Sequence, residues 1–145
     1  WGLATLRLGM AFASLEIIGI LNKIKPPYNI SGLTQDTVLE AIGNTKQLQQ
    51  MVKEILVQKE QLKIALETIP EVEKVYPSAA NFLLVKVPQA NQAYQQLIDK
   101  KIIVRDRSKV QRCEDCLRIT VGSEVENTQL INALKEVLRN NTNKH

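Results

Sequence analysis

The chain has 145 residues, room for one domain or one domain plus part of another, and its 44% hydrophobic and 23% charged content is that of a globular protein with a single core. The net charge of +4 is interspersed rather than blocked and aromatics make up only 4%, so the composition calls for neither a nucleic-acid footprint nor a base-stacking surface. No run approaches the roughly 18 apolar residues of a membrane span and nothing reads as a secretory leader, so the expectation is a cytoplasmic protein with no membrane and no nucleic-acid partner.

Arg7 to Ala13 alternates Leu8, Met10 and Phe12 against small residues and predicts a buried strand. Ser14 is placed to cap a helix through Lys25, with Ile17, Ile20, Leu21 and Ile24 on one face and Pro26 and Pro27 as its stop. Residues 26–32 read as a loop. Thr34 is placed to cap a short helix ending near Gly43. Asn44, with Gln47 three positions on, opens a longer helix whose stripe runs Leu48, Met51, Val52, Ile55, Leu56, Leu62, Leu66, interrupted at Lys59. Pro70 ends it.

The character of the chain then changes. Residues 72–76 and 82–87 read as strands, the second with Leu83, Val85 and Val87 on one face. Residues 89–100 form an amphipathic helix pattern. Two further strand-like runs follow, around Ile102–Asp106 and Leu117–Gly122, each carrying an arginine. In the second, Leu117, Ile119 and Val121 alternate with Arg118, Thr120 and Gly122, which sends an apolar set to a core and holds Arg118 over the other face among small neighbours. Arg105 and Arg118 are planar forks suited to carboxylate or phosphate, and on neighbouring strands they would hold a doubly anionic substrate. Spacing alone equally allows two ordinary exposed arginines. Ser123 with Glu126 is a capping box for a last helix, and a polar tail follows from Asn140. The pattern predicts an α/β (α+β) unit with a mainly antiparallel sheet and helices on one face.

Cys113 and Cys116 form a Cys-x-x-Cys motif. Zinc would need two more ligands, and the chain has two cysteines and one histidine, His145, at its end. No metal site is expected. The pair precedes a strand and encloses Glu114 and Asp115, which disfavours a redox thiolate, so it reads as two reduced cysteines in a turn.

Several strings together resemble the histidinol-phosphate aminotransferase family, of fold type I. They are Lys25-Pro-Pro-Tyr-Asn29, Tyr76-Pro-Ser-Ala-Ala-Asn-Phe-Leu-Leu84, Ile102-Ile-Val-Arg-Asp106 and Cys116-Leu-Arg-Ile-Thr-Val-Gly122, with Gly2 to Gly9 similar to the segment just after the cofactor lysine. The resemblance covers nearly the whole chain. It implies a C-terminal fragment: residues 1–45 the tail of a truncated large cofactor-binding domain, 46–70 a connecting helix, 71–140 the small domain and 141–145 a disordered tail. It implies a pyridoxal-phosphate-dependent homodimer in the parent, moving an amino group between histidinol phosphate and 2-oxoglutarate, with glutamate as product. Arg7 would contact the cofactor phosphate, Arg105 the substrate phosphate, and Arg118 the carboxylate of glutamate or 2-oxoglutarate. No catalytic residue falls in the chain, because the Schiff-base lysine would lie upstream of Trp1, and the fragment alone is expected to be inactive.

The chain departs from the family pattern at Thr5 and Lys101, where glycine is common. The alternatives are a sister fold type I aminotransferase acting on another amino donor, such as an aromatic amino acid or threonine phosphate, and a stand-alone α/β module binding an anion or nucleic acid.

Overall fold

The computed structural model describes residues 2–142. Two compact units divide between Met51 and Val52, inside a long helix.

The first unit holds a single 3-10 turn at Ala4–Leu6 and the helices α1 (Leu15–Ile24) and α2 (Gly32–Gly43). The strand expected over residues 7–13 is absent. A strand exists only where a second strand accepts its ladder, and none of the described residues supplies one here. Met10 and Phe12 are accordingly 69% and 92% exposed. The isoleucine stripe of α1 is exposed as well, and Val38 is the only described hydrophobic in this unit that is buried. Ser14 precedes α1 with extended backbone but makes no side-chain cap bond. The cap of α2 is Ser31 rather than Thr34: the Thr34 N–H donates to Ser31 Oγ at 3.1 Å, and the helix starts three residues earlier in register than expected.

Helix α3 (Thr45–Glu67) opens as the sequence predicts. The Gln47 N–H donates to Asn44 Oδ1 at 3.3 Å, and the Asn44 amide donates back to Gln47 Oε1 at 2.7 Å. Lys59 interrupts the apolar stripe because its ammonium donates to the carbonyls of Ser78 (3.0 Å) and Ala80 (3.3 Å), pinning the loop ahead of the second strand.

The second unit contains the sheet. Its strands are β1 (Lys74–Tyr76), β2 (Phe82–Lys86), β3 (Arg105–Asp106) and β4 (Cys116–Thr120), in the order β1-β2-β4-β3, every neighbouring pair antiparallel. Helices α4 (Ala90–Asp99) and α5 (Glu124–Thr142) complete it. Alternation decides what is buried: Leu83 and Val85 of β2 and Leu117 and Ile119 of β4 enter one core with Leu62 and Leu66 of α3, Leu97 of α4 and Leu134 and Leu138 of α5. Burying a side chain of this size contributes about 1.5–3 kcal/mol, so these nine outweigh any single polar contact in the unit. The other side of the sheet is left for the arginines.

Strand β3 is shorter than predicted, because the chain leaves α4 through Lys101 at φ 61° and reaches the β4 ladder only at Arg105. The tail expected from 141 is also corrected: α5 is helical to Thr142, with Asn141 buried and its Oδ1 accepting from Gln96 at 2.9 Å. Residues 143–145 lie outside the described residues.

Candidate functional site

Arg105 and Arg118 are direct partners across the β3–β4 ladder, so both occupy the same face of the sheet. The register continues across all four strands. Tyr76 pairs with Leu84, Leu84 with Arg118, and Arg118 with Arg105, which forms one row over the face opposite the core. Directly opposed side chains have Cβ atoms about 4.5–5.5 Å apart. The two arginine stems therefore leave neighbouring positions on that face.

Nothing described neutralises them. Neither has an ion-pair partner among the described residues, and Arg118 Nε is buried without a hydrogen-bond partner. The Arg118 head lies on the Phe82 ring, its Cζ 5.0 Å from the ring centroid. That contact orients the fork and leaves its donors free. Asp106, adjacent in sequence, does not serve as a counter-ion. It pairs with core-facing Leu117 and so lies on the helix side, where Asn91 donates to Oδ2 at 2.9 Å and the Ser108 N–H to Oδ1 at 2.8 Å. Burial pushes the Asp106 carboxyl up, but the donors at Ser108 and Asn91 outweigh it and hold the group below the ordinary carboxylate range.

The rest of this face is also cationic. Lys74 stands opposite Lys86 and lies over the Tyr76 ring at 4.7 Å. Among the described residues, Lys86 is the one strand cation of the face in an ion pair, 3.0 Å from Glu73, whose hydrogen bond and charge raise its pKa. Phe82 and Lys59 escaped the sequence reading as site residues. Their signals were present: Phe82 is out of phase with the core-facing Leu83, and Lys59 breaks a helical stripe.

Arg7 belongs to the other unit. It follows the 3-10 turn with φ 54°, its N–H closing on the Ala4 carbonyl at 3.2 Å, and it is exposed. An exposed guanidinium on a left-handed residue has room to meet a phosphate. Thr5, noted as a departure from glycine, sits inside the turn with no positive φ and needs no glycine there. A cavity of about 470 Å³ opens between residues 101–104, the end of β4 and Glu126 to Leu130 of α5, and no arginine lines it. Among the described residues no three acidic, cysteine or histidine groups gather to hold a metal ion, and no helix is long and apolar enough to cross a membrane.

A lone antiparallel α/β unit with an arginine pair fits many proteins, but comparison with known ones narrows the class. Residues 1–134 match the family model described as aminotransferase class I and II, and the chain belongs to that family. It is 51% identical over 137 residues to the histidinol-phosphate aminotransferase of Parabacteroides distasonis, covering 94% of this chain and 40% of that protein. The crystal structure of histidinol-phosphate aminotransferase from Sinorhizobium meliloti in complex with pyridoxal-5'-phosphate shares the fold, with TM-score 0.86 at 23% identity over 96% of this chain and 38% of that one. A decarboxylase from Sulfurospirillum multivorans is similar too, with TM-score 0.83 and 29% identity over 94% of this chain and 40% of that one. The chain thus spans about 40% of the length of the proteins it matches.

Proposed function

We propose that this chain is the anion-gripping part of a pyridoxal-phosphate-dependent aminotransferase that moves an amino group between histidinol phosphate and 2-oxoglutarate. The observation that carries this is the unneutralised Arg105–Arg118 pair. Like charges set directly opposite destabilise a sheet, so the arrangement is favourable only with an anion bound. Histidinol phosphate brings a phosphate and no carboxylate, whereas glutamate brings carboxylates. One site must therefore accept two chemically different anions in turn. Arg105, exposed at the edge strand, takes the phosphate, and Arg118, fixed on Phe82, takes the carboxylate. Each charge-assisted contact contributes about 1.5–3 kcal/mol, enough to orient a small substrate.

Arg7 suits the phosphate of the cofactor, which when bound supplies the electron sink for the reacting carbon. By the resemblance, the lysine that carries the cofactor is not among these residues, so the 145-residue chain by itself has no group to move the proton at that carbon and is inactive. The complete enzyme acts as a homodimer. The 29% identity to a decarboxylase over 94% of the chain favours a second reading, a sister enzyme of the same fold acting on another amine.

The test extends the chain to the full length of its relatives and compares substrates. Turnover of histidinol phosphate above other amines is expected. Arg105→Ala should impair histidinol phosphate far more than 2-oxoglutarate. Equal impairment of both would remove the role assigned to Arg105, and preference for another amine would favour the sister enzyme.

A further inference from the structure

Cys113 and Cys116 take no part in that reading. Both are free thiols, Cys113 half-buried and Cys116 buried at the first position of β4. The backbone between them turns back on itself. The Cys116 N–H donates to the Cys113 carbonyl at 3.0 Å, and Asp115 has φ 55°. This is a hydrogen-bonded four-residue turn with a positive φ at its third residue, as type II geometry requires. Such a turn keeps its end Cα atoms within about 7 Å, and a disulfide needs about 4.4–6.8 Å.

The turn is braced on every side. The Asp115 carbonyl accepts from the Val87 N–H at 2.9 Å, the Cys116 carbonyl from the Arg107 N–H at 2.9 Å, and the Cys113 N–H donates to the Val110 carbonyl at 2.9 Å. Cys116 Sγ donates to the Glu114 carbonyl at 3.5 Å, which turns the thiol back over the turn. Burial first, then the neighbouring Cys113, raises the Cys116 pKa, so the more accessible Cys113 is the thiol that reacts first. Among the described residues no third ligand joins the pair.

We propose that Cys113 and Cys116 are a modification site, forming a reversible intramolecular disulfide by exchange with a small-molecule disulfide. Cys113, the more accessible, loses its proton and attacks one sulfur of the reagent, breaking its S–S bond and releasing one thiol. Cys116 then loses its proton and attacks the Cys113 sulfur, releasing the second thiol. Two electrons pass from the two cysteines to the reagent, which leaves as two thiols. Because Cys116 lies two residues before Arg118 on the same face, the bond ties down the root of the strand that carries that guanidinium. The closed loop is short, so the gain in stability is small.

The test incubates the native chain with oxidised and reduced glutathione at a fixed ratio and reads intact mass, thiol labelling and the Cys113–Cys116 peptide. The expected product is lighter by two hydrogens with both thiols blocked to labelling. Cys116→Ser should stop at the mixed disulfide with glutathione, and Cys113→Ser should stay reduced. The exchange equilibrium should favour the bond at least about tenfold more in the native chain than in concentrated urea, because the turn is already formed. A wild-type chain that stops at the mixed disulfide, links to a second chain, or closes the bond no better than in urea overturns the proposal.

Discussion

Arg105→Gln separates the two consequences of setting like charges across a ladder. Charges held as close as the Cβ spacing of about 5 Å in a water-like medium would repel by about 0.8 kcal/mol, an upper figure for heads that spread apart, and opposed cross-strand pairs fall in a range of about 0.2–1 kcal/mol. Glutamine keeps much of the stem and its hydrogen-bonding end while removing the charge. Without ligand, the variant should therefore be more stable than the wild type by about 0.2–0.8 kcal/mol, or about 1–3 °C in melting temperature for a chain of this size. The gain should fade as salt rises, since exposed charges are screened over about 10 Å at 0.1 M ionic strength. Phosphate reverses the order. Loss of a contact contributing about 1.5–3 kcal/mol weakens phosphate binding about ten- to a hundredfold, and the stabilisation by ligand shrinks with it. Thermal denaturation followed by circular dichroism, in chloride and in phosphate at equal ionic strength, reads both effects. A variant less stable than wild type in chloride, or one that gains as much from phosphate as wild type does, refutes the reasoning.

Lys101→Gly should stabilise the chain by about 0.5–1 kcal/mol, because Lys101 ends α4 at φ 61° with its N–H on the Ile98 carbonyl at 2.7 Å, a position that suits glycine; a shift of the urea midpoint at unchanged slope checks it. Gly122→Ala should destabilise by about 0.5–2 kcal/mol, since its Cβ would stand 2.9 Å from Glu126 Oε2, the oxygen that accepts from the Ser123 N–H and hydroxyl at 2.7 Å each. Ser123→Ala should cost a similar amount, and the double variant should cost less than the sum of the two if both act through that box. Acid should weaken the chain through the same box. The Ser123 backbone N–H, then its hydroxyl, hold the Glu126 carboxyl below its ordinary range against desolvation, so this contribution is complete above the unfolded pKa and is lost as pH falls through the folded one. Glu126→Gln should flatten the acid limb of stability measured by urea midpoints from neutral pH downward; an unchanged limb would remove Glu126 as its source.

Local signals were legible wherever the physics is local. The Asn44–Gln47 and Ser123–Glu126 boxes form as their spacing requires, because a cap needs only residues a single turn apart. The core face of β4 follows from its alternation; Lys101 was legible only as a departure from the family's glycine, and its left-handed φ of 61° appears in the structure. Ser31 displaced Thr34 as a cap because both are good caps and the sequence did not rank them. The strand pattern at residues 7–13 failed for another reason: periodicity states which side chains would share a face, but not whether a neighbouring strand is there to pair with.

The candidate site shows the same division. The residue types alone provided two anion-binding forks, and alternation set Arg118 away from the core. That Arg105 faces it directly, that Phe82 lies against its head, and that Asp106 turns to the opposite side all depend on register between segments separated by a turn and a cysteine motif. Register is a tertiary property. A slip of one residue would send every side chain of β3 to the other face, exchanging Arg105 for Asp106; Val104, buried in the shared core just ahead of β3, and the Asn91 and Ser108 bonds to Asp106 oppose that slip.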